Sequence, residues 1–449
     1  MQEEEKGYLR KFLENLDWIL VAALVYLLGT GLIGVYSATL HYGNAGKYLF
    51  TQGSAVMIGL VGMIILSSFN YQYFRQLLAS SYIFSLLLLA SVLVFGITVK
   101  GTKGWFHLAY FSFQPVEIAK IIFILVLAGY LDSTWREVKK LSTLGLALML
   151  MFGHVFLVLL QPDFSSTLVY LPVTIILLYI AGIAPLYLFG IILFGSLAAG
   201  IPLLATFFKL QPELLSAHYS LAYFVSASRG GFKLVLVLAA VIAVIFILWW
   251  FLRRFKVEIP FIYPLVLSLI IAAGSVSSLG VQKTLKDYQR KRLIVFLNPE
   301  VDPLGSGYNI IQSKIAIGSG QAFGKGLFSG SQAQLGFLPE QHTDFIFSVL
   351  GEETGFIFSM LTLIFYFVLV WRALVVARES RDRYGSLVAV GIAAMFAFYA
   401  TINIGMVMGM MPATGLPLPL LSYGGSSMVS ALWALGILFS IHIRRFTHA

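Results

Sequence analysis

The chain has 449 residues and a formal net charge of +10, with 59% apolar and only 11% charged side chains. Soluble domains carry about 25% charged residues, so this composition excludes a set of soluble domains and indicates an all-α polytopic integral membrane protein. The chain has no cysteine, which excludes disulfides, cysteine-ligated zinc, iron–sulfur clusters and a thiol nucleophile.

Twelve stretches are apolar and long enough to cross a bilayer core of about 30 Å as helices. The first follows the segment MQEEEKGYLRKF, and its apolar run is too long for the apolar region of a signal peptide. The predicted spans are 17–39, 48–67, 77–99, 115–131, 142–160, 166–184, 186–207, 232–252, 259–282, 344–371, 386–408 and 425–443.

Basic residues are distributed unequally between alternate loops. With the N-terminus inside, the inner segments hold 16 Lys and Arg residues and the short outer loops hold 6. Positive charge concentrates in cytoplasmic loops, so both termini are predicted to be cytoplasmic and the long segment 283–343 to lie outside. The same rule explains the basic excess as loop anchoring, so nucleic-acid binding is not expected.

Segment 283–343 opens with the basic sequence KTLKDYQRKR, which includes Lys286, Arg290 and Arg292. On the outer side this cluster departs from the positive-inside trend. Two interpretations stay open. The cluster is either an anchor for lipid headgroups or a binding site for a lipid phosphate or pyrophosphate, which basic side chains bind through charge-assisted hydrogen bonds.

The sequence Asn298-Pro-Glu-Val-Asp302-Pro-Leu-Gly305 follows this cluster. Asp at the first position, Pro at the second and Gly at the fourth are typical of a type I turn, which gives Asp302 a structural interpretation. Glu300 and Asp302 are also two carboxylates close together, and such a pair can act as a base or bind a metal. The local pattern alone leaves both interpretations open.

Further polar residues lead into the tenth span. A short surface helix is predicted near 306–317, and in LPEQHTDF the residue Thr343 is a candidate helix cap. Asp344 suits the positive N-terminal end of that helix. Glu352 and Glu353 follow inside the span, where carboxylates are costly and indicate either a function or pairing with buried donors.

A second polar group is predicted on the same outer side. Glu117 and Lys120 are three residues apart on one helix face and can pair, either as a structural lock or as functional groups. Trp105, just before them, is either a membrane-interface anchor or a functional residue. The Pro- and Gly-rich segment 411–426 is non-helical backbone, which membranes tolerate where it lines a cavity or is buried in protein. The polar features therefore predict an outward-open cavity for an anionic, lipidic substrate.

Taken together, the polar segments resemble the SEDS family (shape, elongation, division and sporulation) of bacterial peptidoglycan polymerases. The motifs occur in family order, and the elongation type is more similar than the division type. They are Trp105, QPVEIAK, QPD, DYQRKR, NPEVDPLGSGY, QSKIAIGSG, GKG, FLPEQHTDFIF, GEETG and PLPLLSYGGSS.

The resemblance implies a SEDS-type helical bundle that polymerises lipid II during cell elongation and rod-shape maintenance. The acceptor hydroxyl of lipid II attacks a glycan chain on undecaprenyl pyrophosphate with inversion. Asp302 matches the catalytic aspartate of the family's D-P-x-G motif, with the expected role of a general base. The resemblance implies substrate-binding roles for residues in the matched motifs: Trp105, Glu117, Lys120, Lys286, Arg290, Arg292, Gln312, Ser313, Glu340, His342, Asp344 and Ser422.

The sequence departs from the family pattern at four positions. Gln321 stands where the family usually has Gly, and Ser331 where it usually has Thr. Gly104 and Ser112 stand where the family usually has basic residues. Family members usually have ten spans, so the prediction is one membrane domain, 1–449, with an inserted helical pair at about 186–257. An even insertion preserves the outward orientation of the catalytic loop at 283–343.

The resemblance also implies the protein's partners and location. The expected partner is a class B penicillin-binding protein, a transpeptidase, within the elongation (rod) complex in the bacterial cytoplasmic membrane. No metal ligands are predicted, although a divalent cation (Mg or Mn) is compatible with the chemistry. Three alternatives remain: a flippase or transporter of lipid-linked precursors, a non-catalytic scaffold, and the division-type polymerase.

Overall fold

The computed structural model of the protein describes residues 16–99, 101–108, 111–209, 211–284, 295 and 306–446. Four of the predicted site residues, Lys286, Arg290, Arg292 and Asp302, lie outside the described residues. Their roles therefore stay predictions from the sequence.

Seventeen α-helices make up most of the described chain. They are α1 Trp18–Thr39, α2 Ala45–Ser68, α3 Gln72–Gln76, α4 Leu78–Phe95, α5 Pro115–Ser133, α6 Leu141–Leu160, α7 Phe164–Ala181, α8 Pro185–Lys209, α9 Pro212–Ala217, α10 Tyr219–Ala227, α11 Phe232–Arg254, α12 Ile262–Thr284, α13 Ser306–Ser319, α14 Ser331–Gln334, α15 Ile346–Glu379, α16 Arg383–Val407 and α17 Gly425–Ile443.

Local sequence signals explain several helix starts. Asp17 precedes α1 and accepts a hydrogen bond from the backbone N–H of Leu20 at 3.1 Å. Asp163 does the same for Ser166 at the start of α7, at 3.0 Å. Pro115 is the first residue of α5, where the absent N–H leaves no helical hydrogen bond unmade.

A small antiparallel sheet lies between α4 and α5, which the all-α prediction did not include. Its strands, in order, are β1 Ile97–Val99, β2 Thr102–Leu108 and β3 Phe111–Phe113. Ile97 pairs with Trp105, and Phe106 pairs with Phe113. The β-branched Thr102 and the aromatic residues Trp105 and Phe106 are of types enriched in strands, which favours this extended conformation.

The chain divides into two compact units. The first comprises Met1–Ile183 and Asn309–Ala449, and the second comprises Ala184–Tyr308. In the first unit α2 packs along α17, and α15 packs along α16 and α1. A Cβ atom at Gly436 of α17 would lie 2.7 Å from the carbonyl oxygen of Met63, so glycine permits this close helix contact. In the second unit α8 packs along α12. The inserted pair predicted at 186–257 stays a prediction.

Eleven helices of the described chain are long and apolar enough to cross a membrane, which confirms the polytopic membrane fold. The remaining predicted span, 115–131, is present as α5. This helix carries the charged residues Glu117, Lys120 and Asp132, all of them buried. Because its charges face protein neighbours, α5 is an internal helix of the first unit.

Candidate active site

Glu117 and Lys120 form the buried ion pair that their spacing predicts. Lys120 Nζ lies 2.7 Å from Glu117 Oε1, and the two side chains are 3% and 7% exposed. Lys120 also donates to the hydroxyl of Tyr399 on α16, and its ammonium group lies 5.1 Å from the centre of that ring. The hydroxyl and the ring of Tyr399 thus hold the charged pair of α5 against α16.

The start of α5 is fixed by hydrogen bonds to two other helices. Gln114 Nε2 donates to Asp163 Oδ2 at 3.1 Å, and the Gln114 backbone N–H donates to Ser426 Oγ at 2.8 Å. Ser426 Oγ in turn donates to the carbonyl oxygen of Ser112 at 3.2 Å. The polar motifs QPVEIAK, QPD and SYGGSS, far apart in the sequence, therefore meet at one end of the first unit.

The segment between α16 and α17 is non-helical, as the sequence predicts, and its second half is deeply buried. Leu416, Leu418 and Leu420 are each no more than 1% exposed. Asn403 Nδ2 donates to the carbonyl oxygen of Leu416 at 2.8 Å, and the hydroxyl of Tyr366 donates to that of Pro419. Side chains of neighbouring helices thus satisfy backbone groups that a helix would have satisfied internally.

Ser422 closes this buried segment and lies next to the segment around His342. Ser422 Oγ accepts from the Leu418 backbone N–H at 2.7 Å, and its carbonyl oxygen accepts from Gln52 Nε2 at 3.1 Å. The Tyr423 backbone N–H donates to the carbonyl oxygen of His342 at 2.8 Å. Two of the predicted site residues, Ser422 and His342, are therefore neighbours.

Four aromatic rings gather at the same place from three parts of the chain. The His342 ring lies 5.7 Å from Tyr42, 5.3 Å from Tyr48 and 5.5 Å from Tyr423, centre to centre. Burial raises the pKa of the Tyr423 phenol above its usual range. Tyr42 is 41% exposed, so this aromatic cluster has an accessible edge.

The turn before α15 carries Glu340, His342 and Asp344. Glu340 has a φ of +54°, and its carbonyl oxygen accepts from the N–H groups of Thr343 and Asp344 at 3.2 and 3.1 Å. The predicted capping by Thr343 is wrong. The helix begins at Ile346, and Thr343 Oγ1 donates back to the carbonyl oxygen of Glu340 at 3.2 Å. A tight turn of this kind satisfies those groups locally.

Ser313 and Asp344 connect α13 and the Glu340 turn to α16. Ser313 Oγ lies 2.7 Å from Ser348 Oγ and donates to the carbonyl oxygen of Val407 at 2.6 Å. The carbonyl oxygen of Asp344 accepts from Asn403 Nδ2 at 2.8 Å. Ser313, His342, Asp344 and Ser422 thus belong to one hydrogen-bonded group of segments.

Trp105 and Gln312 are the predicted site residues without such connections. Trp105 lies in β2 with its side chain partly exposed, and Gln312 lies partly exposed on α13. Within the described ranges neither side chain makes a hydrogen bond, ion pair or ring contact. Among the described residues there is also no group of three or more His, Asp or Glu residues that could hold a metal ion.

Several residues of this group were missed from the sequence: Gln52, Gln341, Tyr366, Tyr399 and Asn403. Asn403 lies in an otherwise apolar helix, and a polar residue in such a position is a signal for a helix–helix hydrogen bond. Gln52 carries the same signal on α2. The tyrosines and Gln341 carry no such signal, because tyrosine is common in membrane helices and Gln341 lies in an already polar segment.

A family profile described as "Cell cycle protein", covering FtsW, RodA and SpoVE, matches residues 17–227 and 231–446. The chain belongs to this family. The peptidoglycan glycosyltransferase RodA of Treponema pallidum (strain Nichols) is 36% identical over 436 residues, which cover 96% of this chain and 98% of that protein. The peptidoglycan glycosyltransferase MrdB of Escherichia coli (strain K12) is 34% identical over 416 residues, covering 92% and 90%.

Proteins of the division type also match. A probable peptidoglycan glycosyltransferase FtsW of Trichlorobacter lovleyi is 33% identical over 440 residues, covering 96% of this chain and 93% of that protein. A solved structure described as "Structural coordination of polymerization and crosslinking by a peptidoglycan synthase complex" matches with a TM-score of 0.63 and 28% identity. The match covers 96% of this chain and 99% of that one. The SEDS resemblance and the helical-bundle fold are therefore confirmed.

Proposed function

We propose that this protein is a RodA-like peptidoglycan glycosyltransferase. The observation that carries this function is identity above one third to RodA and MrdB over nine tenths or more of the chain. The identity to an FtsW protein is lower, which favours the elongation type. The chain is thus an enzyme of cell-wall synthesis in a membrane.

The proposed substrate is lipid II, and the proposed reaction is glycosyl transfer with inversion. The 4-hydroxyl group of the acceptor sugar attacks C1 of the donor sugar, and undecaprenyl pyrophosphate leaves. Asp302 takes the hydroxyl proton as a general base. A positioned base of this kind contributes about 10²–10⁴-fold to a rate. The position of Asp302 in the NPEVDPLGSGY motif supports the assignment.

The basic cluster that includes Lys286, Arg290 and Arg292 is proposed to bind the pyrophosphate of the donor. Arginine and lysine form short charge-assisted hydrogen bonds with phosphate oxygens, and the leaving pyrophosphate gains negative charge during the transfer. The place of this cluster in the DYQRKR motif, in the same predicted outer segment as Asp302, supports this role.

The buried polar group described above is proposed to form the wall of the substrate site. Lys120 and Glu117 hold α5 against α16, while Ser313, Ser422 and the Glu340–Asp344 turn frame the outer end. These residues are held by hydrogen bonds at their backbone or side chains, so they offer the fixed geometry that glycosyl transfer needs. Trp105 is proposed to contact substrate from the small sheet.

The site is proposed to lie on the outer face of the bacterial cytoplasmic membrane, with both termini in the cytoplasm. The excess of basic residues in the alternate loops supports this orientation. A class B penicillin-binding protein is the proposed partner. The similarity to a peptidoglycan synthase complex in which polymerisation and crosslinking are coordinated supports such a pairing.

Polymerisation of labelled lipid II by the purified protein tests this function. Protein supplied with its class B partner is expected to convert lipid II into a ladder of glycan strands. A flippase would move lipid II across vesicle membranes without lengthening it. Transport without strand formation, in the presence of the co-purified partner, would therefore contradict the proposed function.

A further inference from the structure

Helix α15 is interrupted at Gly355. Segment 320–326, which precedes the helix in the sequence, supplies backbone hydrogen bonds at this interruption. Gly355 has a φ of +73° inside the helix. The N–H groups of Phe356 and Ile357 donate to the carbonyl oxygens of Gln321 and Ala322 at 2.8 and 3.2 Å. Segment 320–326 therefore takes the place of a missing helical turn.

The same segment donates to the other side of the break. The N–H groups of Lys325 and Gly326 donate to the carbonyl oxygens of Glu352 and Glu353, each at 3.0 Å. Four backbone hydrogen bonds thus join the segment to both halves of α15. A broken helix at membrane depth needs such partners, because lipid supplies none.

Glu352, three residues before the break, is the centre of a second set of contacts. Its side chain is fully buried, and Oε1 accepts from Lys325 Nζ at 2.7 Å and from Ser331 Oγ at 3.0 Å. The backbone N–H groups of Gln332 and Ala333 donate to Oε2 at 3.1 and 3.2 Å. One carboxylate therefore holds the start of α14, in a role like that of an N-cap.

A chain of hydrogen bonds runs from α14 to the candidate active site. The carbonyl oxygen of Ala333 accepts from Gln341 Nε2 at 3.0 Å. The same Nε2 lies 2.8 Å from the carbonyl oxygen of Ala38 and 2.9 Å from His41 Nδ1. Gln341 is fully buried and sits directly between Glu340 and His342.

We propose that Glu352 is a positioning residue for glycosyl transfer. It acts through α14 and Gln341 to hold the Glu340–Asp344 turn at the mouth of the site. The role rests on the proposed function, because it supposes that this turn meets the substrate. A glutamine at position 352 keeps the shape of the side chain. Its NH₂ group, however, would face one of the N–H or ammonium groups that now donate a hydrogen bond to the carboxylate. The start of α14 then loses its anchor.

Steady-state kinetics of the full chain with its partner provide the first test. Glu352→Gln is expected to lower kcat about 10²-fold, the loss typical of a misplaced site, and to leave KM within a few-fold. Glu379→Gln is the matched control, because it makes the same substitution at the other end of α15, on a side chain that is 43% exposed. It should leave both constants unchanged. A wild-type kcat for Glu352→Gln overturns the proposal.

Hydrogen exchange provides a test that needs no activity. Amides in 331–345 should exchange faster in Glu352→Gln, while those in α2 and α17 exchange as in the wild type. Unchanged exchange in 331–345, or faster exchange throughout, overturns the positioning role. If the wild-type protein makes no glycan strands from lipid II, the proposed function is contradicted. The hydrogen-exchange comparison then still decides whether Glu352 positions segment 331–345.

A double variant tests the path through Gln341. If Glu352 acts through that residue, Glu352→Gln with Gln341→Ala loses no more kcat than the more affected single variant. Losses that multiply would mean that the two residues act independently, and the proposed path would be wrong.

Discussion

Lys120 Nζ lies 2.7 Å from Oε1 of Glu117, three residues earlier on the same helix, and the two side chains are only 3% and 7% exposed. Lys140 and Glu137 have the same spacing and the same 2.7 Å distance, but their side chains are 60% and 56% exposed. The buried pair lies within α5, whereas the exposed pair lies in the turn between α5 and α6, so the two pairs share a side-chain distance and differ in burial and in backbone conformation.

Lys120→Met is expected to lower stability by about 3–5 kcal/mol, because it leaves the Glu117 carboxylate buried without its cation. Lys140→Met should change stability by less than about 1 kcal/mol, because water screens an exposed pair. Thermal unfolding in detergent measures both. Equal losses for the two variants would contradict the internal position of α5.

The double variant Lys120→Met with Glu117→Gln removes both charges of the buried pair. It should recover much of the stability that Lys120→Met loses, since no unpaired charge remains. If the pair also serves the substrate, lipid II polymerisation will stay low despite the recovered protein level. Recovery of both stability and activity would make the pair a purely structural lock.

Asn403→Ala tests the connection between the turn at Asp344 and the buried segment after α16. The change removes hydrogen bonds to the carbonyl oxygens of Asp344 and Leu416, each 2.8 Å long. Leaving buried groups unsatisfied costs about 1–3 kcal/mol. Thermal unfolding should show this loss, while Thr401→Ala, on an exposed position of the same helix, leaves stability unchanged. An unchanged Asn403→Ala protein would contradict the role of Asn403.

The absence of native cysteine allows a direct test of orientation. A single cysteine placed at the exposed position Ser329 should react with a membrane-impermeant maleimide added to intact cells. A cysteine at the exposed position Lys139, in a predicted inner loop, should react only after the membrane is opened. The reverse pattern would place the Glu340–Asp344 turn inside and exclude an extracytoplasmic substrate site.

The spans and the Glu117–Lys120 pair could be predicted because their signals are local. Hydrophobic length fixes a span, and a spacing of three residues places two side chains on one helix face. The break at Gly355 could not be predicted in this way. Its hydrogen bonds come from residues about 30 positions earlier, and GEETG alone does not reveal that a loop completes the helix.

The sequence left open whether Glu352 and Glu353 have a function or pair with buried donors, and it did not indicate which groups would be those donors. Glu353 accepts from Ser37 Oγ at 2.5 Å, a contact across 316 residues of sequence. Asp302, by contrast, was singled out from the sequence but lies outside the described residues. Its proposed role rests on its position in the NPEVDPLGSGY motif.

Polymerisation of labelled lipid II by purified Asp302→Asn protein, with the partner present, tests the proposed mechanism most directly. Asparagine keeps the side-chain shape and is also favoured at the first position of the turn, but it cannot accept the hydroxyl proton. The rate should fall about 10²–10⁴-fold, with expression and partner binding near those of the wild type. Polymerisation within a few-fold of the wild-type rate would contradict the assignment of Asp302 as the general base, and Glu300 or Asp344 would become the next candidate.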